Sequence, residues 1–209
     1  MESNWAAENL QVIRTLMERS ALYRRALAPI MIYAGALGVA GGGVGWLLRI
    51  SSVRGFIGFW SGVAVLALVG SFLLVRRQAL RDAEPVWSPP TRRVAQAFLP
   101  PLFIGWVLAL LSAIYPGWDF LPAWTLPAFW SVLYGCALTA AGFFMQRGIK
   151  LLGWLFILSG CALMAASCCH EVKVFSLPDG HWTMGGVFGG LHLAYGMYLY
   201  FTEQRRDET

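Results

Sequence analysis

Residues 55–75 read GFIGFWSGVAVLALVGSFLLV, an apolar run without one charged side chain. A hydrocarbon core about 30 Å thick needs roughly 20 such residues in a helix that rises about 1.5 Å per residue. The run is too long for a typical strand, and it lacks the polar–apolar alternation of a lipid-facing barrel strand. Five further stretches of the same character flank it, so the sequence predicts spans at 26–48, 55–75, 94–115, 121–144, 149–167 and 183–201. The expected fold is an all-α integral membrane protein, a six-transmembrane-helix bundle.

Composition supports this class. Of 209 residues, 57% are hydrophobic and 13% charged, against a charged share of about 25% in soluble domains. So few charges cannot coat a water-soluble globule. Disorder, collagen-like repetition and a disulfide-stapled secreted scaffold are excluded by the same figures. None of the connections between spans reaches domain size, so any chemistry must lie among the helices or in the loops joining them.

Charge asymmetry predicts the orientation. With the N-terminus in the cytoplasm, thirteen of the sixteen Lys and Arg residues fall on the inside, and only Arg49, Arg54 and Lys173 outside. Short loops rich in Lys and Arg stay cytoplasmic, so both termini are expected inside. Trp46, Trp60, Trp118, Trp124 and Trp182 cluster near the expected outer boundary, a level that amphipathic rings favour. The basic balance needs no nucleic acid; arginines facing an anionic cytoplasmic leaflet account for it. Fourteen Arg against two Lys suit a bacterium of high genomic GC content, hence a multi-pass protein of the bacterial inner (plasma) membrane.

Before the first span, residues 1–25 carry helical periodicity that runs on to Leu27. Trp5, Val12, Ile13, Leu16, Ser20, Tyr23 and Leu27 share one face, and Glu8, Gln11, Arg14, Thr15, Glu18 and Arg25 the other. This is expected to be a cytoplasmic amphipathic helix lying at the interface, or a docking helix for a partner. It does not have the layout of a cleaved signal peptide. Residues 26–201 then form the transmembrane domain, and 202–209 a cytoplasmic tail.

The first and last spans are rich in glycine. Gly38 and Gly42, like Gly185 and Gly189, are spaced by four, which lets helix backbones approach closely. Packing inside one bundle and homodimerisation both use that face. On an unbroken helix, Gly185, Gly189, His192 and Gly196 fall on a single stripe. Apart from Lys150 at a span end, His192 is the only ionisable residue within the spans. A buried imidazole needs a partner: Tyr134, Ser131 or Thr139 of the fourth span, or a bound cofactor.

Two unusual words flank the loop before the last span, Cys168-Cys169-His170-Glu171 and Pro178-Asp179-Gly180-His181. Pro-Asp-Gly is a turn signal, and Val172 to Phe175 alternates like a short strand. Folding the loop back would bring His170 and His181 together with Cys168 and Cys169, sulfur and imidazole ligands of the kind that copper or zinc accepts. The adjacent cysteines lack the usual metal-site spacing, and a disulfide involving Cys168 or Cys169, or plain packing, are the alternatives to a metal site. Cys136 and Cys161 read as small hydrophobes in an apolar interior.

No Asp, Glu or Arg lies in the spans, which counts against ion-driven transport. A single deep histidine gives no bis-histidine haem site, and no hydrolase, zincin or phosphate-loop motif occurs. Elimination favours a non-enzymatic accessory subunit, sensor or membrane anchor, acting through helix contacts with a membrane-protein partner or a second copy. The rivals are an outward-facing metal-binding or redox protein that uses Cys168, Cys169, His170 and His181, and a small-solute transporter or channel.

Overall fold

The computed structural model describes the backbone of residues 27–81, 86–87, 89–115, 125–145, 147–168 and 177–207. Helix dominates these residues, and none of them lies in a strand. The helices are α1 (Leu27–Leu47), α2 (Val53–Arg81), α3 (Pro89–Ile114), α4 (Leu126–Ala141), α5 (Arg147–Cys168), α6 (Leu177–Met184) and α7 (Leu191–Asp207). A π-helical turn, Gly185–Gly190, joins α6 to α7. The amphipathic segment before Leu27, the alternating Val172–Phe175, and Trp118 and Trp124 lie outside the described residues.

Among the described residues, four helical stretches are long and apolar enough to cross a membrane: Leu27–Leu47, Val53–Arg81, Thr91–Ile114 and Gly148–Ser167. On α2, Val65, Leu66, Leu68, Val69, Phe72 and Leu73 are each more than half exposed. A contiguous apolar face of that size is foreign to a monomer in water and natural against lipid. The fourth expected span is shorter than anticipated. Its described helix, Leu126–Ala141, has 16 residues, about 24 Å at 1.5 Å per residue.

Two further points depart from the sequence reading. Pro100 and Pro101, close to the start of the expected span 94–115 and suited there to a helix entry, lie well inside α3, because that helix already begins at Pro89. Pro178-Asp179-Gly180, anticipated as a turn, forms the first turn of α6. The fixed φ of proline suits the start of a helix, and an acidic residue there meets the positive end of the helix dipole.

Long helices that follow one another in the chain pack antiparallel, and backbone contacts at glycines set the spacing. A Cβ placed on Gly38 would stand 2.8 Å from the Gly189 Cα, and one on Gly42 would stand 2.9 Å from the Gly185 Cα. Gly35 and Gly196 continue this seam against Leu193 and Ile32. The seam lies within one chain, between α1 and the last helical run. A second seam joins α4 to α5, where a Cβ on Gly135 would meet the Gly153 O at 2.6 Å and one on Gly160 the Ala128 O at 2.7 Å. Contacts of this kind replace hydrophobic collapse as the glue between helices in lipid.

Cross-helix hydrogen bonds to backbone carbonyls add to the seams. Tyr33 of α1 donates to Leu66 O of α2 (3.0 Å), Arg54 of α2 to Ala113 O of α3 (3.2 Å), and Trp130 of α4 to Gly105 O of α3 (3.0 Å). At the end where α2 finishes and α3 and α5 begin, Arg93 approaches the ring of Phe144, and the Lys150 ammonium sits 3.6 Å from the Phe143 ring centre. Lys150 thereby sets its ammonium against an aromatic face near the start of α5.

Helix α1 ends in a Schellman motif. Ile50 N–H reaches Gly45 O (3.3 Å) and Arg49 N–H reaches Trp46 O (3.0 Å). Arg49 takes the left-handed conformation, φ 50°, at the position where glycine is usual. Its Cβ makes that conformation costly, by about 1–2 kcal/mol.

These contacts predict a contrast between neighbouring glycines. Gly42→Ala, which forces a Cβ into the Gly185 backbone, should destabilise the protein by about 1–3 kcal/mol. Gly43→Ala has open space before it and should be neutral or stabilising by up to about 1 kcal/mol. Arg49→Gly should raise stability by about 1 kcal/mol. Thermal unfolding in detergent micelles measures all three.

Candidate functional site

Two histidines of the described residues are buried, His181 at 0% and His192 at 5% exposure. They sit at opposite ends of the π turn, in separate aromatic boxes.

The Schellman motif at the end of α1 leaves the Ile50 carbonyl facing the first turns of α6. There it accepts a hydrogen bond from His181 Nε2 at 3.0 Å. On the other side of the ring, Trp60 Nε1 of α2 donates to His181 Nδ1 at 3.1 Å. A carbonyl only accepts and an indole N–H only donates. These two partners therefore fix a neutral imidazole with its proton on Nε2. Phe56 and Phe59 wall the ring at centroid distances of 4.9 and 5.5 Å, and Phe56 stacks on Trp130 of α4. Gly45 leaves room for the imidazole, since a Cβ there would collide with it. One side chain thus ties together the cap of α1, the second turn of α2 and α6.

His192 adopts the opposite tautomer. Its Nδ1 lies 2.6 Å from Phe188 O, one turn back, and its Nε2 lies 2.8 Å from the Tyr134 hydroxyl of α4. The Phe188 carbonyl requires the proton on Nδ1, so in the neutral ring Nε2 accepts from Tyr134 O–H. Phe156 of α5 and the Tyr134 ring pack against the imidazole at 5.2 and 5.4 Å. Of the three partners the sequence offers, Tyr134 is the one engaged. Ser131 and Thr139 donate instead to Pro127 O and Cys136 O of their own helix.

The structure corrects the placement of His192 on the glycine stripe. Gly185, Gly189 and Gly196 do meet α1, but Leu193 stands in the stripe where His192 was expected, with its backbone N 2.5 Å from a Cβ built on Gly35. His192 points to α4. The stripe assumed about 100° per residue throughout, and the π turn breaks that phase.

The sequence-predicted metal ligands are placed as follows. Cys168 is the last residue of α5, and Cys169 and His170 lie outside the described residues. Among the described residues no group of three or more His, Cys, Asp or Glu side chains comes together. His181 lies inside the bundle with both ring nitrogens engaged, so a metal ion there must displace Trp60 or Ile50. Trp60, expected at the membrane boundary, is buried at 4% exposure, whereas Trp46 and Trp182 pair near the surface at 5.8 Å. Cys136 and Cys161 face outward and not into the core.

Sequence reasoning missed the Trp60–His181 bond, the α4–α5 glycine seam and the π turn. Only the turn has a visible signal, four glycines in the six residues GGVFGG. No family model matches the chain, and no curated protein or solved structure shows significant similarity to it.

Trp60→Phe removes the donor to His181 Nδ1 and keeps an aromatic ring in place. It should cost about 1–3 kcal/mol, the penalty for a buried acceptor left unpaired. Trp106→Phe on the exposed face of α3 should cost under about 0.5 kcal/mol. Paired thermal melts in the same detergent make the comparison.

Proposed function

We propose that this chain is a non-enzymatic, six-span membrane component with both termini in the cytoplasm, an accessory subunit or sensor that acts through contacts in the bilayer. The observation that carries this reading is how the interior polar groups are used. Both buried imidazoles are neutral with both nitrogens engaged: His181 bridges the α1 cap and α2, and His192 joins α4 through Nε2 while its Nδ1 bonds Phe188 O of its own helical run. A proton-coupled transporter or a hydrolytic enzyme needs titratable groups left open to substrate or water, and these two rings are not open. What the described helices offer to partners is their outer apolar surface. The Arg-rich end, with Arg76, Arg77, Arg81, Arg92 and Arg93, suits an anionic cytoplasmic leaflet. The thirteen-to-three division of basic residues supports the orientation.

A photo-reactive residue at Val65 or Phe72 of α2, both more than half exposed, tests the reading in native membranes. Ultraviolet irradiation should yield one discrete protein adduct, either a partner or a second copy. Adducts with lipid alone, together with solute flux in proteoliposomes, would reverse the proposal in favour of transport. Labelling of single cysteines placed at Glu2 and Thr209 should occur only after the membrane is made permeable; labelling from outside would reverse the orientation.

A further inference from the structure

The last helical run contains one residue more than its contacts would need if it were α-helical throughout. At about 100° per residue, His181 and His192 are eleven steps apart, so an unbroken α-helix would hold them within about 20° of one another. They face different neighbours instead. His181 reaches the α1 cap and α2, and His192 reaches Tyr134 on α4. Beyond the π turn, Leu193 and Gly196 meet α1, not His192. A π turn, with its i to i+5 bonding, absorbs the extra residue and moves everything after it by one position around the axis.

Such a turn also disturbs the carbonyls of the regular ladder, and a side chain that bonds into the ladder can hold it open. His192 does this. Its Nδ1–H bonds to Phe188 O inside the turn at 2.6 Å, alongside the Leu191 backbone N–H. Tyr134 O–H, by donating to Nε2, holds the ring in the tautomer that carries a proton on Nδ1. Apart from the α1 seam at Gly185 and Gly189, little in the turn resists a change of phase. Four of its six residues are glycine, and a Cβ on Gly186 or Gly190 would find nothing within 4 Å.

We propose that Gly185–Gly190 is a one-residue register latch, kept in π geometry by the relay from Tyr134 through His192 to the Phe188 carbonyl. Releasing the relay lets the turn relax to α geometry and rotates α7 against α6 by about 100°. The two ends of the helix are held by different neighbours, so this rotation couples the α1–α2 contact at His181 to the α4 contact at His192. The latch rests on backbone phase and two hydrogen bonds, so it stands or falls separately from the contact-acting reading above.

Hydrogen–deuterium exchange on the full chain in lipid nanodiscs tests it. Tyr134→Phe removes the donor. His192→Gln keeps a group within reach of Tyr134 but has none at the Nδ1 position. Each should raise exchange across residues 185–193 at least tenfold and leave α2 within twofold of the parent. Deleting Gly190 should give a folded protein with that segment α-helical and its other contacts kept. In the deletion background, Tyr134→Phe should then change exchange at 185–193 by less than twofold. Four results would overturn the latch: no local rise in either variant; a rise spread evenly over all helices, or loss of folding in both; a Gly190 deletion that does not fold; or a deletion background as sensitive to Tyr134→Phe as the parent.

Discussion

The close approach of α1 to the last helical run is the constraint on which the rest of the structure depends. Glycine at 35, 38 and 42 on one side, and at 185, 189 and 196 on the other, brings the two backbones within van der Waals contact. Lipid tails are as apolar as leucine, so burying leucine against leucine gains little in a bilayer. The gain comes from dispersion between closely spaced atoms and from polar groups that find no water outside the protein. The seam provides the first directly and the second by position. It brings the Ile50 carbonyl and Gly45 up to His181, and it aligns α6 so that Trp60 of α2 can complete the imidazole.

The chemistry of the interior follows from that alignment. Charge is expensive in hydrocarbon, and the two buried imidazoles of the described residues are met by partners that satisfy them uncharged. Trp60 and Ile50 select one tautomer of His181, while Phe188 and Tyr134 select the other for His192. Each imidazole spans a gap between helices that a purely apolar side chain would fill without fixing rotation. Specified rotation of a helix about its own axis is what these histidines contribute, and it suits a protein whose work is done by the surfaces it presents.

Much of this was legible in the sequence, because length and apolarity are strong signals. The run at 55–75 and its neighbours announce helices of membrane-crossing length, and the fourfold glycine spacings mark the α1 seam. The need of His192 for a partner on the fourth span follows from the cost of burying an unpaired polar group. What was not legible depends on three-dimensional neighbours. Nothing local in His181 or Trp60 says that they meet across 121 residues. The Pro-Asp-Gly word is as good a helix start as a turn, and packing of Gly180 against the Phe56 ring is a tertiary fact. Cys136 and Cys161 show that apolar character cannot separate a core-facing from a lipid-facing position. The phase of His192 was misread because periodicity reasoning assumes a constant rotation per residue, and the π turn departs from it.

The most direct measurement of the seam is a carbon–carbon correlation spectrum of the protein, labelled with 13C at glycine Cα, in lipid bilayers by solid-state NMR. A Cβ on Gly185 would lie 3.1 Å from the Gly42 Cα, so the two Cα atoms are close enough for direct transfer. Cross-peaks joining Gly42 to Gly185 and Gly38 to Gly189 are expected, as strong as those between glycines adjacent in sequence. Their absence from a spectrum that shows the adjacent pairs would mean that α1 and the last helix do not touch through these residues.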